Sequence, residues 1–327
     1  MIRRRFGAAN CRRAARGTRV TRSAVAWATR TNSGLRVSEP AVSVIVPCYN
    51  GGRFVDDLCD SLAAQTFRDF ETIIVNDGST EEATLRKLAS LDPAIRVVPQ
   101  QNRRLPGARN AGFGCARGEF LLPLDCDDRL AASFLAETVA VLRGAPPEIG
   151  FAFAHVRLVG DMDGVMPRHF NRFDQLFLNR LPYCMLIRRS AWEAAGDYDE
   201  AMGDGMEDWE FNIRLLQAGF GGAEIAKPLL IYRVSAEGML MSRSARLHGT
   251  IWRYIRTKHH DLYRLPALAA AWRANRETPG EIPLLEAVGL LGLAKLLPEA
   301  WFNRLFYRLL TMTRARRVGD GKYQPTS

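Results

Sequence analysis

The stretch "LLPLDCDDRL", residues 121–130, decides how the chain is read. A strongly apolar run stops abruptly at Asp125, Asp127 and Asp128, three carboxylates within four residues. Like charges this close repel one another, and a buried strand has no structural need of them at its end. Capping of a following helix, expected from about Leu130 to Leu142, accounts for one aspartate, Asp127 or Asp128. It does not account for three. Two carboxylates in D-x-D spacing at a strand end can both reach one hard cation. Magnesium and manganese prefer oxygen ligands and keep room for substrate phosphates.

Outward from this stretch, the same pattern recurs. "VSVIVP" (42–47) reads as a strand buried on both faces. A turn, "CYNGG", precedes a helical pattern from Arg53 to Gln65, with Phe54, Leu58 and Leu62 on one face. "ETIIVND" (71–77) is a second strand; Ser79 and Glu82 then have capping-box spacing before a helix that Asp92-Pro93 ends. "IRVV" (95–98) is a third strand, followed by a helical stretch over 107–117, and "EFLLPL" (119–124) is the fourth. Strands and helices alternating at this spacing predict an α/β fold with a doubly wound, mainly parallel sheet. Ligands bind beyond the carboxyl ends of such strands. Tyr49-Asn50, Asn76-Asp77 and Asp125 to Asp128 all fall there and are expected to face one crevice.

The second half reads differently. "GFAFAHVRLV" (150–159) and "YCMLIRR" (183–189) are strand-like, a helix is expected over 207–218 bounded by Gly219, and the chain looks helical after about 245. The expected organisation is a basic, disordered tail over 1–40, a catalytic domain over 41–245 and a helical region over 246–327. Within the domain, a nucleotide-binding half spans about 41–130 and an acceptor half about 131–245.

Charge and cysteines exclude several classes. The 327 residues carry +10, but residues 1–40 hold ten arginines against Glu39 alone, which is +9 and leaves about +1 for the rest. A nearly neutral body is not a nucleic-acid-binding domain by composition. The tail suits anionic lipid or RNA, or an organelle transit peptide. The six cysteines form no CxxC pair, so neither a zinc site nor a disulfide framework is implied and a reducing, cytoplasmic setting is expected. No run of 18 apolar residues occurs.

A D-x-D after an apolar strand also occurs in haloacid dehalogenase phosphatases, but Arg129 stands where they need Thr or Val. Gly112, Gly114 and Gly118 lie in and after a helix rather than after the first strand. They fit close packing and a C-cap better than a dinucleotide fingerprint. In "GMEDWEF" (205–211) the acids favour a helix dipole, or present a carboxylate into a cleft. In "RRLPGARNAG" (103–112), Arg109 and Asn110 are either solvated or close to the crevice.

Taken in order, "VSVIVPCYNGG", "IIVNDGST", "NRRLPGARNAG", "LLPLDCDD", "GMEDWEF", "RRSAWEAAGDYDEAM" and "LLIYRVS" resemble the blocks of a family 2 glycosyltransferase with the GT-A fold, over about 42–235. The resemblance implies a nucleotide-diphospho-sugar donor, usually UDP-linked, with Mn2+ or Mg2+. It implies that Pro47, Tyr49 and Asn50 line the nucleoside pocket and that Asp77 contacts the base. Asp125 would approach the ribose or metal, Asp127 would coordinate the metal, and Asp208 would be the general base of an inverting transfer. Arg109 and Asn110 are expected on the donor, and Glu207 and Trp209 on the acceptor, a glycan or a lipid-linked molecule. One departure stands out: Val234 and Ser235 follow Tyr232-Arg233 where many relatives carry a histidine. His248 is a substitute ligand to test.

"LLGLAKLLPEAWFNRLFYRLL" (290–310) has two readings. One is helices packed on the catalytic domain. The other is an interfacial helix with Trp301, Phe302 and Phe306 at a bilayer and Lys295, Arg304 and Arg308 near lipid phosphates, peripheral at the cytoplasmic face. Two other functions use the same crevice: nucleotidyl or phosphoryl transfer, and a nucleotide-sugar-binding partner subunit without turnover.

Overall fold

The computed structural model describes residues 39–235, 245–275, 278, 282–298 and 300–306. The expectations for the basic tail and for Arg308 fall outside these residues.

Strand β1 (Val42–Cys48) is buried along its whole length. A central strand covered on both faces has no solvent side, which is why its sequence lacks alternation. It pairs in parallel with β2 (Phe70–Asp77), in register from Val42↔Phe70 to Cys48↔Asn76. β3 (Ile95–Gln100) lies parallel beyond β2, and β4 (Phe120–Pro123) lies parallel on the other side of β1. The four predicted strands therefore run in the order β3-β2-β1-β4, with their carboxyl ends together.

Alternate β1 side chains meet different helices. Val44 and Val46 pack with Val55 and Leu58 of α1 (Val55–Ala63) and Leu135 and Val139 of α4 (Phe134–Gly144). Ile45 on β1 and Val75 on β2 face α3 (Arg104–Cys115), against Phe113 and Ala108. Truncating Leu58 or Phe113, both fully buried, costs about 2–5 kcal/mol by such precedents. α3 comes this close because of Gly112, where a Cβ would stand 2.2 Å from Ile45 Cγ2. Gly118 abuts the β1 backbone in the same way, whereas Gly114 faces open space. The close-packing reading holds for two of the three glycines. The C-cap reading does not, since α3 ends on Ala116.

Two helix starts differ from the sequence reading. Before α2 (Glu82–Ala89) no side chain caps, because Ser79 Oγ accepts the Asn50 N–H instead. Neither Asp127 nor Asp128 caps α4: the two-residue strand β5 (Arg129–Leu130) intervenes, and Ser133 is the cap position.

Past β4 the sheet becomes mixed. β8 (Leu186–Arg188) runs antiparallel to β4 and to β6 (Ile149–Gly160), and β6 is parallel to β9 (Gly221–Val234). β9 pairs with β5, and β7 (Gly164–Met166) forms a hairpin with β6. β8 is shorter than expected, which leaves Tyr183 before the strand and available to the site.

Helices α5 (Arg189–Ala195), α6 (Glu207–Gln217), α7 (Ala245–Lys258), α8 (Leu265–Ala274) and α9 (Leu284–Leu296) follow. A second core joins Trp209 of α6 to Trp252, Leu268, Leu291, Phe302 and Phe306. This corrects the interfacial expectation. Phe302 and Phe306 are buried and stack on Trp252 at 5.6 and 5.4 Å, and only Trp301 of the three is exposed. Among the described residues no helix is long and apolar enough to cross a membrane.

Candidate functional site

The carboxyl ends of β1, β2 and β4 open onto a cavity of about 490 Å3, lined by Pro47, Tyr49, Asp77, Asp125, Asp127 and Arg233 among others. This is the size range of small-molecule sites. Asp77 is buried and fixed, its Oδ1 accepting from Gln100 Nε2 at 2.6 Å and from the Arg103 N–H at 2.8 Å. Tyr49 stands half-exposed beside it. Asn50 is a correction. It does not line the cavity, because its Oδ1 accepts the Thr80 and Glu81 N–H groups at 2.8 and 3.0 Å. A left-handed backbone, φ 52°, turns it toward that loop, a conformation Asn tolerates better than most residues.

The three aspartates have three different surroundings. Asp125 Oδ1 accepts from Arg109 Nη2 at 2.8 Å. Asp128 is buried and accepts from Tyr183 Oη at 2.5 Å and the Arg233 N–H at 2.8 Å. Burial and the nearby charges of Asp127 and Asp125 push its pKa well above the usual carboxylate range. Asp127 forms no ion pair among the described residues, and burial together with Asp125 raises it to about 6. Tyr183 and Arg233 escaped the sequence reading. Tyr183 Oη also accepts the Asp125 N–H, and Arg233 Nε donates to the Asp127 carbonyl at 3.2 Å. Tyr183 stood only in a strand-like stretch and Arg233 only inside the block "LLIYRVS", and neither context says anything of contacts.

Arg109, expected on the donor, is 1% exposed. Its guanidinium forks between Asp125 and Glu207 and lies over the rings of Tyr183 and Tyr198 at 5.0 and 5.5 Å. A guanidinium presents parallel donors in a rigid plane, which suits it to joining two carboxylates. Asn110 is likewise structural, exchanging hydrogen bonds with the Tyr198 backbone at 2.9 and 2.8 Å. Neither lines the cavity.

The turn before α6 aims the second acidic group. Gly205 and Met206 both have positive φ, 111° and 60°. The strain at Met206 is on the order of 1 kcal/mol. Glu207 and Trp209, expected on the acceptor, are buried. Glu207 is spent on Arg109, and Trp209 Nε1 donates to the Gln175 carbonyl at 2.7 Å. Neither has surface to offer a ligand. Asp208 is only partly covered and accepts from Asn179 Nδ2 at 2.7 Å. Burial raises its pKa, with Arg109 and the Asn179 hydrogen bond offsetting part of the rise. It does not line the cavity, but it shares the field of Arg109 and Asp125.

The donor set fits a hard cation. Asp127 offers a carboxylate in the cavity that no ion pair occupies among the described residues, with Asp125 beside it. His248 does not join them. Its ring is stacked between Trp209 and Phe306 at 5.0 and 5.2 Å. Val234 and Ser235, which follow Tyr232-Arg233, both line the cavity.

Residues 43–195 match the family model described as glycosyl transferase family 2. An uncharacterized glycosyltransferase, EpsJ of Bacillus subtilis, is 41% identical over 96 residues, 29% of this chain and 28% of its own length. The hyaluronan synthase of Pasteurella multocida is 36% identical over 93 residues, 28% of this chain and 10% of its own. The chain thus spans less than a third of the length of these curated relatives. Among solved structures, S. aureus TarS 1-349 in complex with UDP-GlcNAc aligns with a TM-score of 0.57 at 19% identity, over 87% of this chain and 96% of that one. The mannosyltransferase PcManGT of Pyrobaculum calidifontis, in complex with GDP-Man and Mn2+, aligns with a TM-score of 0.51 at 17% identity, over 87% and 88%. At such identities the likeness carries the fold alone.

Proposed function

From the match of residues 43–195 to the model of glycosyl transferase family 2, we propose that the chain is an inverting, metal-dependent transferase of that family. It moves a sugar from a nucleotide diphospho-sugar, UDP-linked by preference, to an acceptor hydroxyl. The observation that carries this reading is the Arg109 fork, which fastens the strand-end and helix-start carboxylates into one site. The nucleotide sugars bound by TarS and PcManGT, and the Mn2+ of PcManGT, support the donor class and the cation.

Tyr49 and Pro47 at the cavity receive the nucleoside, and Asp77, held by Gln100 and Arg103, meets the base. Asp127, with Asp125, holds Mn2+ or Mg2+, which when bound offsets the negative charge of the departing diphosphate. The acceptor oxygen attacks the anomeric carbon as the bond to the nucleoside diphosphate breaks. Asp208 takes the hydroxyl proton, a role worth about 10²–10⁴ in rate. One displacement inverts the anomeric centre. A raised pKa suits a base that must hold the proton it removes. The acceptor is a glycan or a lipid-linked molecule.

Calorimetric titration of UDP, GDP, CDP and dTDP, with manganese and then with EDTA, tests this. One diphosphate should bind in a manganese-dependent way, and Asp127→Ala should abolish that dependence. Binding that ignores both manganese and Asp127 removes Asp127 from the metal site; no binding by any diphosphate removes the donor assignment. Because protons compete for Asp127, manganese affinity should fall as pH drops through about 6.

A further inference from the structure

Three side chains that the proposed reaction does not use meet at the edge of the sheet. His155 lies on β6, Glu224 on β9, and His169 three residues beyond β7. His155 Nε2 is 2.9 Å from Glu224 Oε1, and His169 Nδ1 is 3.1 Å from both Glu224 oxygens. The two imidazoles stand nearly perpendicular, at 84°, with centroids 5.6 Å apart. One potential ligand atom from each residue lies within 4.8 Å of the others. None of the three lines the cavity that holds Asp127.

We propose that His155, His169 and Glu224 form a second metal site, selective for zinc, with water in the fourth position. Zinc bonds of about 2.0–2.1 Å to nitrogen and oxygen, arranged as a tetrahedron, set neighbouring ligand atoms about 3.3 Å apart. The two spacings to Glu224 need to open by only a few tenths of an ångström, and the third, between the imidazole nitrogens, lies within 4.8 Å. Two imidazoles and one carboxylate are a donor set that favours zinc over the hard cations, which prefer oxygen alone.

The backbone is shaped to bring these groups together. β6 and β9 pair Phe153 with Glu224 but His155 with Pro228, so β9 carries extra residues opposite His155. Bulges of this kind re-aim side chains. The β6–β7 hairpin then returns the chain so that His169 closes the cluster from solvent. His155 is nearly covered, Glu224 less so, and His169 is half-exposed. That gradient leaves an entry path and space for water. Bound zinc would pin the hairpin return to the sheet.

The test uses the full chain freed of metal by chelation. Zinc is titrated by calorimetry, and cobalt by its visible absorption, into the wild type, His169→Ala, Glu224→Gln and Asp127→Ala. One equivalent of zinc should bind to the wild type and to Asp127→Ala, and cobalt should give the intense band of a tetrahedral site. His169→Ala and Glu224→Gln should each weaken that binding by roughly 100-fold or more, beyond what the loss of an outer-shell partner costs. His169 is half-exposed in a loop, so thermal unfolding of His169→Ala in chelator should match the wild type. Equal zinc uptake by wild type and His169→Ala overturns the proposal, as does loss of zinc in Asp127→Ala alone. Either result leaves the three groups as a hydrogen-bonded cluster only.

Discussion

Two groups of three acids, each within four residues, sit on either side of Arg109. One is Asp125, Asp127 and Asp128 after β4; the other is Glu207, Asp208 and Glu210 at the start of α6. They are built alike. In each, one acid is bound to Arg109, one forms no ion pair among the described residues and is the one proposed for chemistry, and one is buried as an anchor. The anchors differ. Asp128 meets a phenol and a backbone N–H, neither of them charged, and its pKa rises well above normal. Burial opposes ionisation at Glu210 too, but hydrogen bonds from His259, Arg214 and Lys258 overcome it and hold it at about 2. Equal density of acids along the chain thus gives pKa shifts of opposite direction, because the partners decide it.

The largest effect that could break this comparison is at the acid left to chemistry. Asp208→Asn should lower kcat by about 10²–10⁴ while leaving nucleotide affinity in place. Near-normal turnover would show that the second group has no base. Arg109→Leu should come next. It strands Asp125 and Glu207 in a buried site and should cost about 3–5 kcal/mol, read as a lower denaturant midpoint. A midpoint unchanged in that variant would mean that the two groups stand independently.

The anchors supply the smaller, sharper test. The folded pKa of Glu210 lies below its ordinary value of 4.5, so its ionised form favours the native state. That contribution, roughly 3 kcal/mol, is present above pH 4.5 and is lost as pH falls toward about 2. Glu210→Gln should therefore be less stable than wild type at neutral pH, with the gap closing on acidification. A gap that persists at low pH would mean that packing, not charge, is what Glu210 contributes.

Much of the frame was legible because it rests on local pattern. Continuous apolar runs mark β1, β2 and β4, and buried strands admit few alternatives. β5 and β8, with two and three residues, carry no periodicity to read. The acidic motifs were visible as motifs, but the environments of their members were not. Arg109 bonds Glu207, 98 residues away, and nothing in "GARNAG" announces that partner. The partners of Asn50, Glu207 and Trp209 were hidden for the same reason: each is bonded to a neighbour that only the fold supplies. His155, His169 and Glu224 lie too far apart along the chain to suggest a cluster.

The Arg109 fork also couples the two acidic groups electrostatically. Its positive charge is shared between two carboxylates, so what happens to one alters its hold on the other. In the proposed reaction, a cation held at Asp125 would weaken that carboxylate's hold on the guanidinium and leave more of its field to Glu207 and Asp208, favouring their ionised forms. By reciprocity, an ionised Asp208 strengthens the cation's grip. Manganese is then expected to bind more weakly to Asp208→Asn than to the wild type at neutral pH, and equal affinities would contradict the coupling.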